Sequence, residues 1–172
     1  MSEGKVRPGT KPFEFVISRT FNAPVTRVWR AWTDPDELLH WWGPKGFTIA
    51  STKVDLKPGG TFHYLLKSPQ GQEMWGRFLY REIVPRKRLV YINSFSDPEG
   101  GIARHPMAPD WPLQLFSTII FEEKDGKTTV TIHWIPYEAS DLETETFEKG
   151  KDSMQAGWTG TLDRLDSYLA RV

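Results

Sequence analysis

Between residues 47 and 137 the chain alternates apolar and polar side chains with a period of two, and Pro- and Gly-rich breaks cut the run into strand-sized pieces. The pieces are FTIASTKVDL (47–56), TFHYLLK (61–67), EMWGRFLYREIV (73–84), RLVYINSF (88–95), LQLFSTIIFEE (113–123) and TTVTIHWIPY (128–137). Alternation sends successive side chains to opposite faces, so each piece buries one face only. Breaks as short as Lys57-Pro-Gly-Gly60, Ser68-Pro-Gln-Gly71 and Lys124-Asp-Gly-Lys127 join antiparallel neighbours, because parallel ones need a crossover of about a dozen residues. The series therefore predicts an antiparallel sheet with one apolar face in need of a partner.

That partner is written at the end of the chain. Ser140 and Glu143 have the spacing of a capping box, and Phe147, Met154, Trp158, Leu162, Leu165 and Leu169 follow at helical intervals. Gly157 and Gly160 fall inside this pattern, each costing about 1 kcal/mol against alanine. Either the helix lies close against a neighbour there or the missing side chains leave open space. Upstream, FEFVISRTF (13–21) reads as a first strand, and Pro24 then opens a short helix with Val25, Val28, Trp29 and Trp32 on one face. Asp34 is placed to cap a second short helix, with Pro35 at its first position, Glu37 completing a capping box and Gly43-Pro44 ending it.

The predicted fold is α+β, of the helix-grip kind: a curved antiparallel sheet in the order β-α-α-β-β-β-β-β-β-α, wrapped around a long C-terminal helix, with two short helices closing one end. A length of 172 residues suits one core, so residues 13–172 are expected to form a single domain behind a disordered or frayed stretch at 1–12. Twenty-two basic residues balance 22 acidic ones, which leaves no net field for nucleic acid or an anionic membrane and favours a small, neutral or apolar partner. Cysteine is absent and no apolar run reaches membrane-spanning length, so a cytoplasmic location is expected. Oligomeric state is not written in the sequence.

Phe62, Tyr64 and Leu66 share one strand face, as do Val130, Ile132 and Trp134, and both sets are assigned to the concave side. His63 and His133 then face outward. The segment HWWGPKG (40–46) places Trp41 and Trp42 side by side; about 100° apart on a helix, one can pack against the sheet while the other caps the core or lines an opening. The connection DPEGGIARHPMAPDWP (97–112) is too long for an ordinary hairpin and gathers Arg104, His105, Met107, Asp110 and Trp111. It is either a surface excursion anchored by Trp111 or a lid in which Arg104 holds a carboxylate and Trp111 an aromatic ring. His40, His63, His105 and His133 have no metal-ligand spacing, so no metal is expected, and His105 is the first candidate for acid–base work. Nucleophile elbows and nucleotide-binding loops are absent, since Gly59-Gly60 precedes a strand, and no cofactor is expected. The acidic run from Glu138 to Glu148 reads as the solvated first turns of the closing helix.

The segments FNAPVTRVWRAWTDPDELLHWWGPKGFT, DLKPGGTFHY, REIVPRKRLVY and GWTGTLDRLDSYLA, in this order across residues 13–171, resemble the SRPBCC superfamily (START-like, helix-grip). Within it the chain is most similar to the group named after the activator of the ninety-kilodalton heat-shock-protein ATPase. The resemblance implies a cavity between sheet and C-terminal helix, used by members for lipids, polyketides and other hydrophobic compounds, in some cases with cyclisation or hydrolysis. The lining expected here is Trp41 or Trp42, Phe62, Tyr64, Trp75 or Phe78, Trp134, Met154 and Trp158, with Trp111 at the entrance. The leading reading is a protein that binds a small hydrophobic or aromatic molecule. A chaperone-interacting protein and a cyclase- or hydrolase-type enzyme using His105, Arg104 or Asp110 are the alternatives, and each follows from the resemblance.

Overall fold

The computed structural model describes residues 13–171, so the expectation for 1–12 lies outside the described residues. Its strands are β1 (Phe15–Phe21), β2 (Thr48–Val54), β3 (Thr61–Lys67), β4 (Glu73–Val84), β5 (Arg88–Ser96), β6 (Ile102–Ala103), β7 (Leu115–Lys124) and β8 (Lys127–Pro136). All pairings are antiparallel, in the order β1-β8-β7-β5-β4-β3-β2, with β6 attached to the end of β5. The first strand thus returns to pair with the last, from Phe15 opposite Trp134 to Phe21 opposite Thr128. Register shifts between Tyr80 and Glu82 and between Ile49 and Ser51 leave Arg81 and Ala50 without a facing residue. Such bulges bend a strand and raise its twist, which helps curl the sheet into a half-barrel.

The helices are α1 (Val25–Thr33), α2 (Pro35–Leu38), α3 (Asp141–Lys149) and α4 (Lys151–Arg171). Between them α1 and α2 carry the chain from edge strand β1 to edge strand β2 and close one end of the half-barrel. The long α4 lies in the concavity and buries Met154, Trp158, Leu162 and Leu165 in the same cluster as Phe62, Phe78, Ile119, Val130 and Ile132. The assigned strand phase holds: Phe62 and Leu66 of β3 and Val130 and Ile132 of β8 are all buried in this core.

Three local expectations need correction. The closing helix is broken at Gly150, which caps α3, and the Trp111 ring packs at that point, where a Cβ would stand 2.9 Å from Trp111 Cζ3. Its capping box does form, Ser140 Oγ accepting from Glu143 N at 3.1 Å and Glu143 Oε1 from Ser140 N at 2.9 Å. The box expected at Asp34 does not. Asp34 Oδ1 accepts from Asp36 N at 2.9 Å, but the Glu37 carboxylate is drawn off to Arg27 and Arg30, both at 2.5 Å, and to the Tyr168 hydroxyl at 3.1 Å. Helix α2 stops at Leu38, short of the expected Gly43-Pro44, and the chain reaches Gly43 through turns. Finally, the acidic run is not wholly solvated, since Glu143 is buried against Arg104.

Candidate ligand-binding cavity

The two adjacent indoles divide the roles that the sequence left open. Trp41 is fully buried and its Nε1–H donates to the Ala31 carbonyl at 3.0 Å, which fastens the turn to α1. Trp42 points the other way, its ring meeting Phe62, Tyr64, Phe78 and Trp158 edge-on at centroid distances of 5.4–5.8 Å. What fixes this orientation is Arg164 of α4. Its Nη1 donates to the carbonyls of Gly43, Pro44 and Phe47 at 3.2, 2.8 and 2.9 Å, pinning the loop behind Trp42 to the helix.

Trp42 forms one wall of a cavity of about 610 Å³ between sheet and helix. Its floor is Tyr64 and Leu66 of β3, Met74 and Phe78 of β4, Tyr91 and Asn93 of β5 and Trp134 of β8. Met154, Gly157, Trp158 and Thr161 of α4 make the roof, and His105, Ala108, Trp111 and Pro112 from the long connection stand at the mouth. The two helical glycines answer the question differently. A Cβ at Gly160 would stand 3.3 Å from Lys45 Cγ, so that glycine permits close packing, whereas a Cβ at Gly157 meets nothing within 4 Å. Gly157 leaves open space in the cavity roof.

Polar groups on the floor come from two neighbouring regions of the sheet. The Tyr64 ring folds across Gly76, where a Cβ would come within 2.3 Å of Tyr64 Cζ and the hydroxyl, so only glycine lets the phenol lie there. Burial pushes the Tyr64 pKa up to about 12, opposed by the nearby Trp42 N–H, which makes no hydrogen bond of ordinary geometry. Burial also holds the Tyr91 phenol well above its usual range. Both phenols keep their protons at neutral pH. Beside them Ser117 donates to Asn93 Oδ1, which leaves the Asn93 Nδ2 hydrogens uncommitted.

At the mouth, the Met107 N–H donates to His105 Nδ1 at 3.0 Å, which puts the proton of the neutral ring on Nε2. Burial lowers the His105 pKa below 6.5. The ring packs on Phe95 at 4.6 Å. The connection itself is tied down rather than loose: Asp97 and Gly101 form a tight turn into β6, Arg104 Nη1 meets Glu143 Oε2 at 2.5 Å, and Trp111 packs on Phe147 at 5.7 Å.

Of the residues expected to line a cavity, Trp42, Tyr64, Phe78, Trp111, Trp134, Met154 and Trp158 do so. Trp41, Phe62 and Trp75 do not. Trp41 is consumed by its bond to α1, and Phe62 lies one layer deeper, 4.9 Å from Phe78 and 1% exposed. Trp75 has the opposite strand phase from Phe78 and stacks on His63 on the convex face at 4.8 Å. The catalytic trio does not converge either: His105 reaches the cavity, but Arg104 is paired with Glu143 and Asp110 is an exposed residue away from the lining. Tyr91 and Asn93 were missed, although the alternation of RLVYINSF groups them with buried Leu89. Among the described residues no group of three His, Cys, Asp or Glu is placed to hold a metal, and no helix is long and apolar enough to cross a membrane.

The structure is similar to a protein from Arthrobacter aurescens solved by NMR, with TM-score 0.76 and 24% identity over 94% of this chain and 88% of that one. It is similar to a Rhodobacter sphaeroides protein with TM-score 0.76 and 18% identity over 98% and 99%, and to the AHSA1 protein of Silicibacter pomeroyi with TM-score 0.67 and 19% identity over 91% and 97%. These likenesses establish the fold. No curated protein matches the chain. Residues 22–170 match the family described as Activator of Hsp90 ATPase homolog 1-like protein, and the chain, a curled antiparallel sheet grasping a C-terminal helix, belongs to that family.

Proposed function

We propose that the protein binds one small, mainly apolar aromatic molecule between the sheet and α4. The observation that carries this reading is Gly157. A helix interior tolerates glycine at a cost of about 1 kcal/mol, and here the missing side chain faces open space in a cavity lined by Trp42, Phe78, Trp134 and Trp158. A volume near 610 Å³ falls in the range of small-molecule sites. Burial of about 200 Å² of ligand apolar area contributes roughly 5 kcal/mol before the entropy of association is subtracted, which gives modest affinity.

Titration calorimetry with two- and three-ring aromatic compounds tests this. One-site saturable binding is expected for the native chain, lost in Gly157→Leu, whose side chain fills the space. Binding that survives Gly157→Leu unchanged, or no binding by the native chain, contradicts the reading. The family name supports a second reading, a partner that stimulates a chaperone ATPase. Ile102, Met107 and Leu142 expose 43, 78 and 55% of their surface and offer apolar contact points beside the Arg104–Glu143 pair. An ATPase assay with the ninety-kilodalton chaperone, showing stimulation lost in Met107→Asp, is the outcome that reading requires.

A further inference from the structure

Two polar side chains set among aromatic rings specify the occupant of the cavity. Trp42, Phe78, Trp134 and Trp158 give it an indole and phenyl lining. On the floor, Tyr64 is a protonated phenol laid over Gly76; the nearby Trp42 N–H can only donate to its oxygen, so the phenol O–H remains a donor. Asn93 has its Oδ1 occupied by the Ser117 hydroxyl and so turns only N–H donors to other partners. Both residues line the cavity, on β3 and β5, with Gly76 and Phe78 of β4 between them. The Tyr64 phenol leans across Gly76, opposite Phe95 of β5, and so toward the strand that carries Asn93.

Charge is arranged as a negative counterpart of this. Among the described residues no carboxylate lines the cavity, and Arg104, the guanidinium nearest the mouth in sequence, is neutralised by Glu143. The lining cation, Lys149, sits exposed at the end of α3 and not on the floor. A carboxylate pushed down to the floor would leave an unpaired charge in an aromatic site, which is costly. A pure hydrocarbon would leave the donors unmet, which is also unfavourable.

Building on the binding function proposed above, we infer that Tyr64 and Asn93 form a donor subsite that selects a planar aromatic ligand carrying a neutral acceptor oxygen, a ketone or quinone carbonyl, over the hydrocarbon or the carboxylate of the same shape. His105, with its proton on Nε2, supplies a third uncharged donor at the mouth. No covalent step is involved; the subsite reads the oxygen.

The test compares fluorene, 9-fluorenone and fluorene-9-carboxylate by titration calorimetry at pH 7.5. Transfer from water alone favours the hydrocarbon, so a preference for the ketone has to come from donors in the protein. The ketone is expected to bind about 5-fold more tightly than the hydrocarbon, the ratio for one net hydrogen bond. Tyr64→Phe, which keeps the ring, and Asn93→Leu, which keeps the approximate side-chain size without a donor or a charge, should each bring the ketone-to-hydrocarbon ratio toward one. If Asn93→Leu does not fold, the Tyr64→Phe ratio decides alone. Equal affinity for ketone and hydrocarbon in the native protein, or a ratio unmoved by Tyr64→Phe, overturns the subsite and leaves cavity binding standing. Tighter binding of the carboxylate overturns it in favour of an anion held by Lys149. Failure of all three probes to bind overturns the binding function itself.

Discussion

Single residues carry the chemistry of the cavity, and two of them give separable outcomes. Gly157→Leu removes a helical glycine and places a side chain in space the ligand would use. It should stabilise the fold by about 0.5–1 kcal/mol, raising Tm by roughly 2–4 °C, while aromatic binding is lost. A fall in Tm would mean that the space at 157 is already filled. His105 has a pKa pushed below 6.5 by burial, and protonation would also break the bond that Nδ1 accepts from Met107. Its Cε1–H NMR resonance should titrate with a midpoint below 6.5, and a midpoint at or above 6.5 would contradict the placement at the cavity mouth. Since the folded pKa is the lower one, this group stabilises the fold above pH 6.5 and loses that contribution as pH falls. Trp41 and Trp42 show the limit of reading single residues. Adjacency fixed that they diverge, but which ring faces the cavity depended on Ala31, 10 positions from Trp41, and on Arg164, 117–121 positions from the carbonyls it holds behind Trp42.

Elements were more legible than residues because their signals are periodic and local. Each strand from β2 to β8 except β6 stood out as alternation between breaks, and the phase of β3 and β8 followed from which face carried Phe62 and Ile132. The failures came where a side chain was recruited over long range. Glu37 sits at capping-box spacing but serves Arg27, Arg30 and Tyr168, and the terminal helix breaks at Gly150, where Trp111 packs in from another element. The connection between β5 and β7 illustrates the same point, since its order rests on Arg104 meeting Glu143 of α3. Glu143→Gln weakens that charged pair while keeping side-chain shape, so limited proteolysis within 97–112 should quicken several-fold with the rest of the fold retained. Unchanged cleavage would show that Trp111 alone anchors the segment. The loop behind Trp42 has its own anchor, and Arg164→Met, which frees three carbonyls, should cost about 1–3 kcal/mol in thermal unfolding.

At the scale of the molecule, the helices that close one end of the half-barrel are tied together by Glu37 of α2, which joins Arg27 of α1 to Tyr168 of α4. Burial alone pushes the Glu37 carboxyl up, but the hydrogen bonds from Arg27 and Tyr168, with the Arg27 charge, hold its pKa below 4.5. A depressed carboxylate pKa stabilises the fold above its unfolded value and loses that contribution as pH falls through the folded value. Glu37→Gln should therefore lower stability by about 1–3 kcal/mol at pH 7 and flatten the acid limb of Tm against pH below 4.5. The central claim is that the space between sheet and α4 receives an aromatic ligand, and the eight tryptophans allow it to be located directly. In a ¹H–¹⁵N spectrum titrated with 9-fluorenone, the indole N–H peaks of Trp42, Trp111, Trp134 and Trp158 should shift saturably together, while those of Trp41 and Trp75 stay in place. Shifts confined to Trp75, on the convex face, or no saturable shift at any indole, would contradict the account.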